Sequence, residues 1–190
     1  MMQKKYVNEK TLIQDSFKLG MKVYESGFRP DFLVGLWRGG SSVGIYVQEC
    51  LQFLGVETDH ISLRTSYQGQ PDYQNMIDSA QEIKVHGMQY LLENINNDNR
   101  LLIVDDVFSS GSNTQAVINQ LRARLKRNMP QDTKIAVTWY KPKRNRGEHA
   151  PDFYINATDD WLVLPYELTG LTKEEIEAHK PGVKEILDSV

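Results

Sequence analysis

The chain has 190 residues and a formal net charge of −3 at pH 7, a length that suits one domain with a full buried core and a charge balance that selects no polyanionic partner. Its single cysteine, Cys50, excludes an internal disulfide and a multi-cysteine zinc site and fits a reducing compartment. No apolar run approaches the length that spans a bilayer, and the opening MMQKKYVNEK lacks the apolar core of a secretory signal, so the expectation is a soluble, cytoplasmic protein without membrane association.

In chain order, Leu12, Phe17, Leu19, Met21 and Val23 recur at helical spacing and predict a helix over 11–27 closed by Gly27. The run RPDFLVGLW, 29–37, begins polar and turns apolar, which predicts a buried strand. GGSSVGIYVQECLQFLG predicts a loop and then a helix ended by Gly55, with Cys50 as inert filling on its buried side. ETDHISLRT, 57–65, predicts the next strand. Residues 66–86 are polar, contain Gly69 and Pro71 and keep no period, which predicts a long mobile excursion. A helix over GMQYLLENI, a strand over RLLIVDD, a helix over SNTQAVINQLRARLKR and a strand over TKIAVTWY follow. Two short strands, APDFYI and DWLVL, precede a polar, partly helical tail from Leu171.

Strands that alternate with helices predict an α/β fold, a central mostly parallel sheet covered by helices on both faces. Ligands in such sheets sit outside the carboxyl ends of the strands. Three stretches meet that rule: those after Trp37, after Val104 and after Tyr140.

The stretch LLIVDDVFSSGSNTQAV, 101–117, carries the most chemistry. Asp105 and Asp106 are expected at the carboxyl end of a central strand, where adjacent carboxylates repel and call for a cation or hydroxyl donors. Ser109, Ser110, Gly111, Ser112 and Asn113 then lead into a helix, and a small-residue loop at a helix N-terminus offers amides and hydroxyls to a phosphate monoester. The same pattern also suits an ordinary strand-to-helix turn with Ser112 as N-cap. A nucleotide-binding P-loop is excluded, since no Gly-Lys-Ser/Thr is present.

An apolar strand, Asp-Asp, two apolar residues, two small residues and a glycine resemble the phosphoribosyl pyrophosphate (PRPP) motif of the type I phosphoribosyltransferases. The resemblance implies that Asp105 and Asp106 hold ribose hydroxyls and organise Mg2+, and that Ser110, Gly111, Ser112, Asn113 and Thr114 grip the 5′-phosphate. GLWRGG, 35–40, is similar to the family's pyrophosphate loop, which implies that role for Arg38, Gly39 and Gly40 and a cis peptide at Trp37–Arg38. RTSY, 64–67, resembles the flexible lid whose Ser-Tyr pair, here Ser66 and Tyr67, closes over the site; the composition of the segment equally suits plain disorder. WYKP, 139–142, and DDWLVLPYE, 159–167, resemble the base-binding segments of the xanthine-guanine and hypoxanthine members. There Lys141 would donate to the six-position oxygen, Trp161 would stack on the base, Leu162 would present backbone groups to the base edge, and Glu167 would stand near the place of a metal-associated acid and join Asp105 and Asp106 as a metal residue. Taken singly, Lys141 also suits a solvated lysine and Trp161 a core residue.

The resemblance spans about 29–167 and implies one domain over 1–190, with a lid at about 65–87 and a small hood over the active site from about 150–167 plus the terminal segments. It implies transfer of the phosphoribosyl group of PRPP to a 6-oxopurine (hypoxanthine, guanine or xanthine), with Mg2+ as cofactor, in a homo-oligomer (dimer or tetramer). Two positions depart from it. Ser109 stands where oxopurine members carry an aspartate that hydrogen-bonds the purine imidazole nitrogen, and serine is not anionic at neutral pH. Asn113 replaces a hydroxyl residue. Ser109 therefore enters the catalytic set, with Asp105 and Asp106, as a changed residue. The departures keep a second class open, a non-catalytic regulator on the same fold that senses nucleotides or binds RNA. The basic clusters RARLKR, 122–127, and KPKRNRGEH, 141–149, are consistent with that class, but they equally suit a solvated helix face and a loop, and no interleaved aromatics mark a nucleic-acid platform.

Overall fold

The computed structural model describes residues 4–67, 83–147 and 149–189. Its elements are β1 (Lys4–Tyr6), α1 (Glu9–Glu25), β2 (Phe32–Trp37), α2 (Gly39–Phe53), β3 (Asp59–Tyr67), β4 (Ile83–His86), α3 (Gln89–Asn94) and β5 (Arg100–Phe108). They continue with α4 (Ser112–Leu125), β6 (Asp132–Tyr140), β7 (Phe153–Ala157), β8 (Trp161–Val163), α5 (Lys173–His179) and α6 (Pro181–Leu187). Among the described residues no helix is long and apolar enough to cross a membrane.

The chain forms two compact units, Ile13–Asp159 and a smaller one from Met1–Leu12 with Asp160–Val190. The larger unit is a six-stranded sheet in the order β4-β3-β2-β5-β6-β7. All its neighbours pair in parallel except β3 and β4. The expected α/β architecture is thus present, and β5 is central, flanked by β2 and β6. Leu101, Leu102, Ile103 and Val104 of β5 are all fully buried, the continuous apolar run of a parallel strand covered on both faces. Val34, Leu36, Leu101 and Ile103 pack with Leu91 of α3 and Val117, Leu121 and Leu125 of α4.

Successive strand residues point to opposite faces, and on the other face Gly35 and Gly44 make room for α2. A side chain at Gly35 would meet Gly40 O and the Ser41 Cα at 2.9 Å. One at Gly44 would meet the His60 ring at 2.9 Å. α1 lies as closely on α2: a Cβ at Gly20 would come 2.7 Å from that of Cys50. Cys50 is buried as expected, and burial pushes its thiol pKa up, away from nucleophile chemistry.

Several local expectations change. The expected loop before α2 is absent, because the helix begins at Gly39 directly after the turn at Trp37–Arg38. The excursion over 66–86 is partly ordered sheet: β3 runs on to Tyr67 and β4 returns from Ile83, pairing Tyr67 with Ile83 and Ser66 with Lys84. The middle of the expected lid, residues 68–82, lies outside the described residues, as does the Tyr67 side chain. Phe17 and Met21, read as apolar positions of α1, remain 40% and 39% exposed.

The smaller unit answers what the tail does. β1 pairs in parallel with β8, setting Lys4 against Trp161 and Lys5 against Leu162. Glu175 of α5 accepts from Lys4 Nζ at 2.6 Å and from the Tyr6 hydroxyl at 2.9 Å. It also completes a capping box with Thr172. Lys180 donates to the carbonyls of Leu164 and Pro165 at 2.9 and 2.6 Å. The tail clasps both strands.

Two outcomes follow from this packing. A Cβ at Gly40 would stand 2.5 Å from Val104 O and 2.9 Å from the Asp105 Cα; both are backbone and cannot rotate away. Gly40→Ala is expected to lower unfolding stability by roughly 1–3 kcal/mol in denaturant titration. The Glu175 carboxyl is held down to about 2 by Lys4 first, then by the Thr172 amide and Tyr6. A depressed carboxyl stabilises the fold above its ordinary value of 4.5, and that contribution is lost as pH falls through its folded value. Glu175→Gln should therefore melt below the wild-type chain at neutral pH, with the gap narrowing as pH drops below about 4.5.

Candidate active site

Three loops at the carboxyl ends of β2, β5 and β6 come together. These strands are neighbours in the sheet, with Gly35 paired to Val104 and Phe108 to Tyr140. The first loop is a single turn. The Trp37–Arg38 peptide is cis, as the resemblance implied, and α2 starts at once. The amides of a first helical turn have no partners within the helix, so Arg38, Gly39 and Gly40 offer N–H groups and an exposed guanidinium side by side. Gly40 seats this turn against β5.

β5 continues past the acids. Asp105 and Asp106 lie inside the strand, two residues before its end at Phe108, and not at its terminus as expected. The ladder to β6 is carried on by Val107–Trp139 and Phe108–Tyr140. Each acid folds back on the chain: Asp105 Oδ1 accepts from Asp106 N at 2.9 Å, and Asp106 Oδ1 from Val107 N at 2.7 Å. Burial raises the Asp105 pKa well above the usual carboxylate range, and the Asp106 charge adds to the rise. Asp105 in this setting favours its protonated form or a nearby cation.

After Phe108 the chain turns through Ser109 and Ser110. Gly111 has φ +78°, a conformation that favours glycine, and a Cβ there would meet the Phe108 ring at 2.7 Å. Ser112 is the first residue of α4 and not its N-cap; that place is taken by Gly111. The Ser110 hydroxyl accepts from Ser112 N at 3.3 Å and donates to Ser112 Oγ at 2.9 Å. Thr114 is buried and Asn113 half-buried in the first turn. The loop is a concave run of amides and hydroxyls, suited to phosphate oxygens.

The loop after β6 runs beside it. Lys141 N donates to Phe108 O at 2.9 Å and Arg146 N to Ser110 O at 3.3 Å. Lys141 is 8% exposed, which removes the alternative of a solvated lysine. Ser66, on β3, shares a 2.8 Å hydrogen bond with His86 Nε2 of β4. The histidine escaped the sequence reading because only antiparallel pairing of β3 with β4 brings it there.

Trp161, Leu162 and Glu167 belong to the smaller unit. Trp161 is half-buried on β8 and Leu162 buried. Glu167 Oε2 accepts from Leu164 N at 2.9 Å, closing the turn after β8. Among the described residues no three His, Cys, Asp or Glu side chains form a group that could hold a metal by themselves. Asp105 and Asp106 nonetheless fit Mg2+, a hard cation bound through one or two carboxylates with substrate phosphates completing its shell.

Comparison with solved structures gives the same architecture. A purine phosphoribosyltransferase from Pyrococcus horikoshii is 23% identical with a TM-score of 0.65, covering 90% of this chain and 99% of its own. A protein from Neisseria gonorrhoeae with bound ppGpp is 18% identical with a TM-score of 0.69, covering 96% and 98%. The xanthine-guanine-hypoxanthine phosphoribosyltransferase of Helicobacter pylori is 15% identical with a TM-score of 0.63, covering 88% and 95%. At these identities the likeness shows the fold. No curated protein sequence matches the chain. The model of the phosphoribosyl transferase domain matches residues 2–168, and with the acid pair, the small-residue loop and the cis turn on neighbouring strands, the chain belongs to the phosphoribosyl transferase domain family.

Proposed function

We propose that the protein transfers the phosphoribosyl group of PRPP to a ring nitrogen of a 6-oxopurine, releasing pyrophosphate. The observation that carries this reading is the acid pair on β5, with the first turn of α2 seated against Asp105 and the small-residue loop into α4 following on the same strand. Ribose hydroxyls fit the carboxylates; the two phosphate ends of PRPP fit the two sets of amides.

In the reaction the bond from ribose C1 to the pyrophosphate oxygen breaks, a bond from C1 to the purine nitrogen forms, and the proton of the purine imidazole passes to water. Positive charge grows on the ribose ring as the leaving group departs, so positioning and fixed electrostatics supply most of the catalysis. Ser110, Gly111, Ser112, Asn113 and Thr114 hold the 5′-phosphate, and Arg38, Gly39 and Gly40 hold the pyrophosphate. Asp105 and Asp106 bind the ribose hydroxyls, offset the developing charge and hold Mg2+, which neutralises pyrophosphate oxygens when bound. Ser66 and Tyr67, at the end of β3, are assigned to shielding the reacting atoms from water. Lys141, a buried ammonium, donates to an exocyclic oxygen and discriminates against a six-amino group, which has no lone pair to offer. Trp161 supplies a stacking face and Leu162 backbone groups. Ser109 contributes a neutral hydroxyl where an acid would promote proton transfer, which lowers turnover by about 10²–10⁴-fold relative to an acid-bearing site.

A second reading has one specific support. The Neisseria neighbour holds ppGpp, a guanine nucleotide with two pyrophosphate groups, and the same amides and cations would suit such a ligand in a nucleotide-sensing protein.

Incubation with Mg2+, PRPP and, in turn, hypoxanthine, guanine, xanthine, adenine and uracil separates the two. Nucleotide formed from an oxopurine, and lost in the double variant Asp105→Asn with Asp106→Asn, is the expected result. No product from any base, with nucleotide still bound, selects the sensor. A melting experiment checks the acid pair independently. A carboxyl whose folded pKa is raised binds more protons folded than unfolded, so it costs stability as pH rises above its ordinary value of 3.8. Asp105→Asn should melt above the wild-type chain at neutral pH, the gap closing at about pH 4, and Mg2+ with PRPP should raise the wild-type midpoint but not the variant's.

A further inference from the structure

Thr138 stands on β6 opposite Asp106. Cross-strand pairs run from Asp105–Val137 to Val107–Trp139, and at the position between them a side chain makes the bond: Thr138 Oγ1 donates to Asp106 O at 2.8 Å. On the far edge of β6, Asn156 of β7 donates from Nδ2 to Thr138 O at 3.3 Å and to Asp15 Oδ2 at 2.7 Å. Asp15, on α1, is only 4% exposed, and its other oxygen takes Lys18 Nζ at 2.8 Å. A polar thread therefore runs from the surface of α1 under the sheet to the backbone of the acid pair.

Two features mark this thread as more than filling. Thr138 is fully buried, and a buried hydroxyl costs free energy unless it is bonded; valine fills the same volume, suits a strand as well and carries no such cost. The bond is also placed where the ladder hands over to the acids. The amides of Asp106 and Val107 are taken by the acids' own Oδ1 atoms, and from β6 the Thr138 hydroxyl bonds the Asp106 carbonyl between them.

We propose that Thr138, braced by Asn156 and Asp15, is a positioning residue for the acid pair: its hydroxyl sets the direction of the Asp106 carbonyl, and with it the angle at which Asp105 and Asp106 meet the ribose hydroxyls of PRPP. This rests on the PRPP reading above. Thr138→Val removes the bond at nearly constant volume, and Thr138→Ser keeps it. Binding of PRPP with Mg2+ by calorimetry, kcat and KM for each substrate, and melting points are measured for both. A control, Val56→Ala, lies at the amino-terminal end of the sheet and loses stability without touching the thread.

Thr138→Val is expected to weaken PRPP affinity by about tenfold and to leave KM for the purine within about twofold. Thr138→Ser should restore the affinity, and Val56→Ala should keep it despite melting lower. Wild-type PRPP affinity in Thr138→Val overturns the proposal. So does a serine variant no better than the valine one, or a loss shared equally by both substrates or by the control. If the wild-type chain binds no PRPP in the presence of Mg2+, the PRPP reading fails and this proposal with it. Wild-type binding with Thr138→Val unaffected removes this proposal alone.

Discussion

The approach of α2 to β5 is the constraint on which the rest of the larger unit turns. Gly40 brings the first turn of that helix to within 2.5 Å of Val104 O, measured from where a side chain would begin, and Gly35 accepts the same turn from β2. With any side chain at either place the helix would have to lift off the sheet, and its N-terminal amides would leave the acids. Close packing and electrostatics are thus one feature here. A helix N-terminus, with its partial positive charge, sits against Asp105, whose ionisation the neighbouring Asp106 charge opposes.

That arrangement is costly. Asp105 resists ionisation because it is buried beside Asp106. Under the reading proposed above, PRPP with Mg2+ would offset that cost, its hydroxyls and cation meeting the acids and its phosphate oxygens the helix-start amides. Local stability given up at a site that the rest of the fold supports is the usual relation between a site and its scaffold. The polar thread through Thr138, Asn156 and Asp15 fits the same logic, since groups under repulsion need a rigid backing to keep their geometry.

The smaller unit solves a different problem. A two-stranded sheet of three residues per strand is marginal by itself, and β1 and β8 are fastened by charged tail residues. Lys180 binds the carbonyls that follow β8, and Glu175 holds Lys4 and Tyr6 of β1. The tail from Leu171, which matched no motif, is therefore a structural clasp for the strand that carries Trp161 and Leu162.

Much of this was legible in order along the chain. β5 was readable from its apolar run and α4 from its periodicity, because local pattern decides both. Asp105, Asp106, Gly111 and the Arg38-Gly39-Gly40 turn stood out because their chemistry is unusual at a strand end whatever surrounds them. The start of α2 at Gly39 was misread, since glycines signal a loop locally and only the sheet beneath shows that they are there for close approach. The acids were placed at the strand end because pattern cannot see the β6 partners that prolong β5 to Phe108. Lys141 could be read as solvated until the fold buried it, and His86, Thr138, Asn156 and Asp15 gave no signal. Sequence by itself determined which residues bring charge, hydroxyls and conformational freedom, since these belong to residue types and their spacing. Tertiary structure alone decided which of them share a hydrogen bond, because cross-strand register and helix seating join residues as far apart as Asp15 and Asn156, and no local pattern encodes that distance.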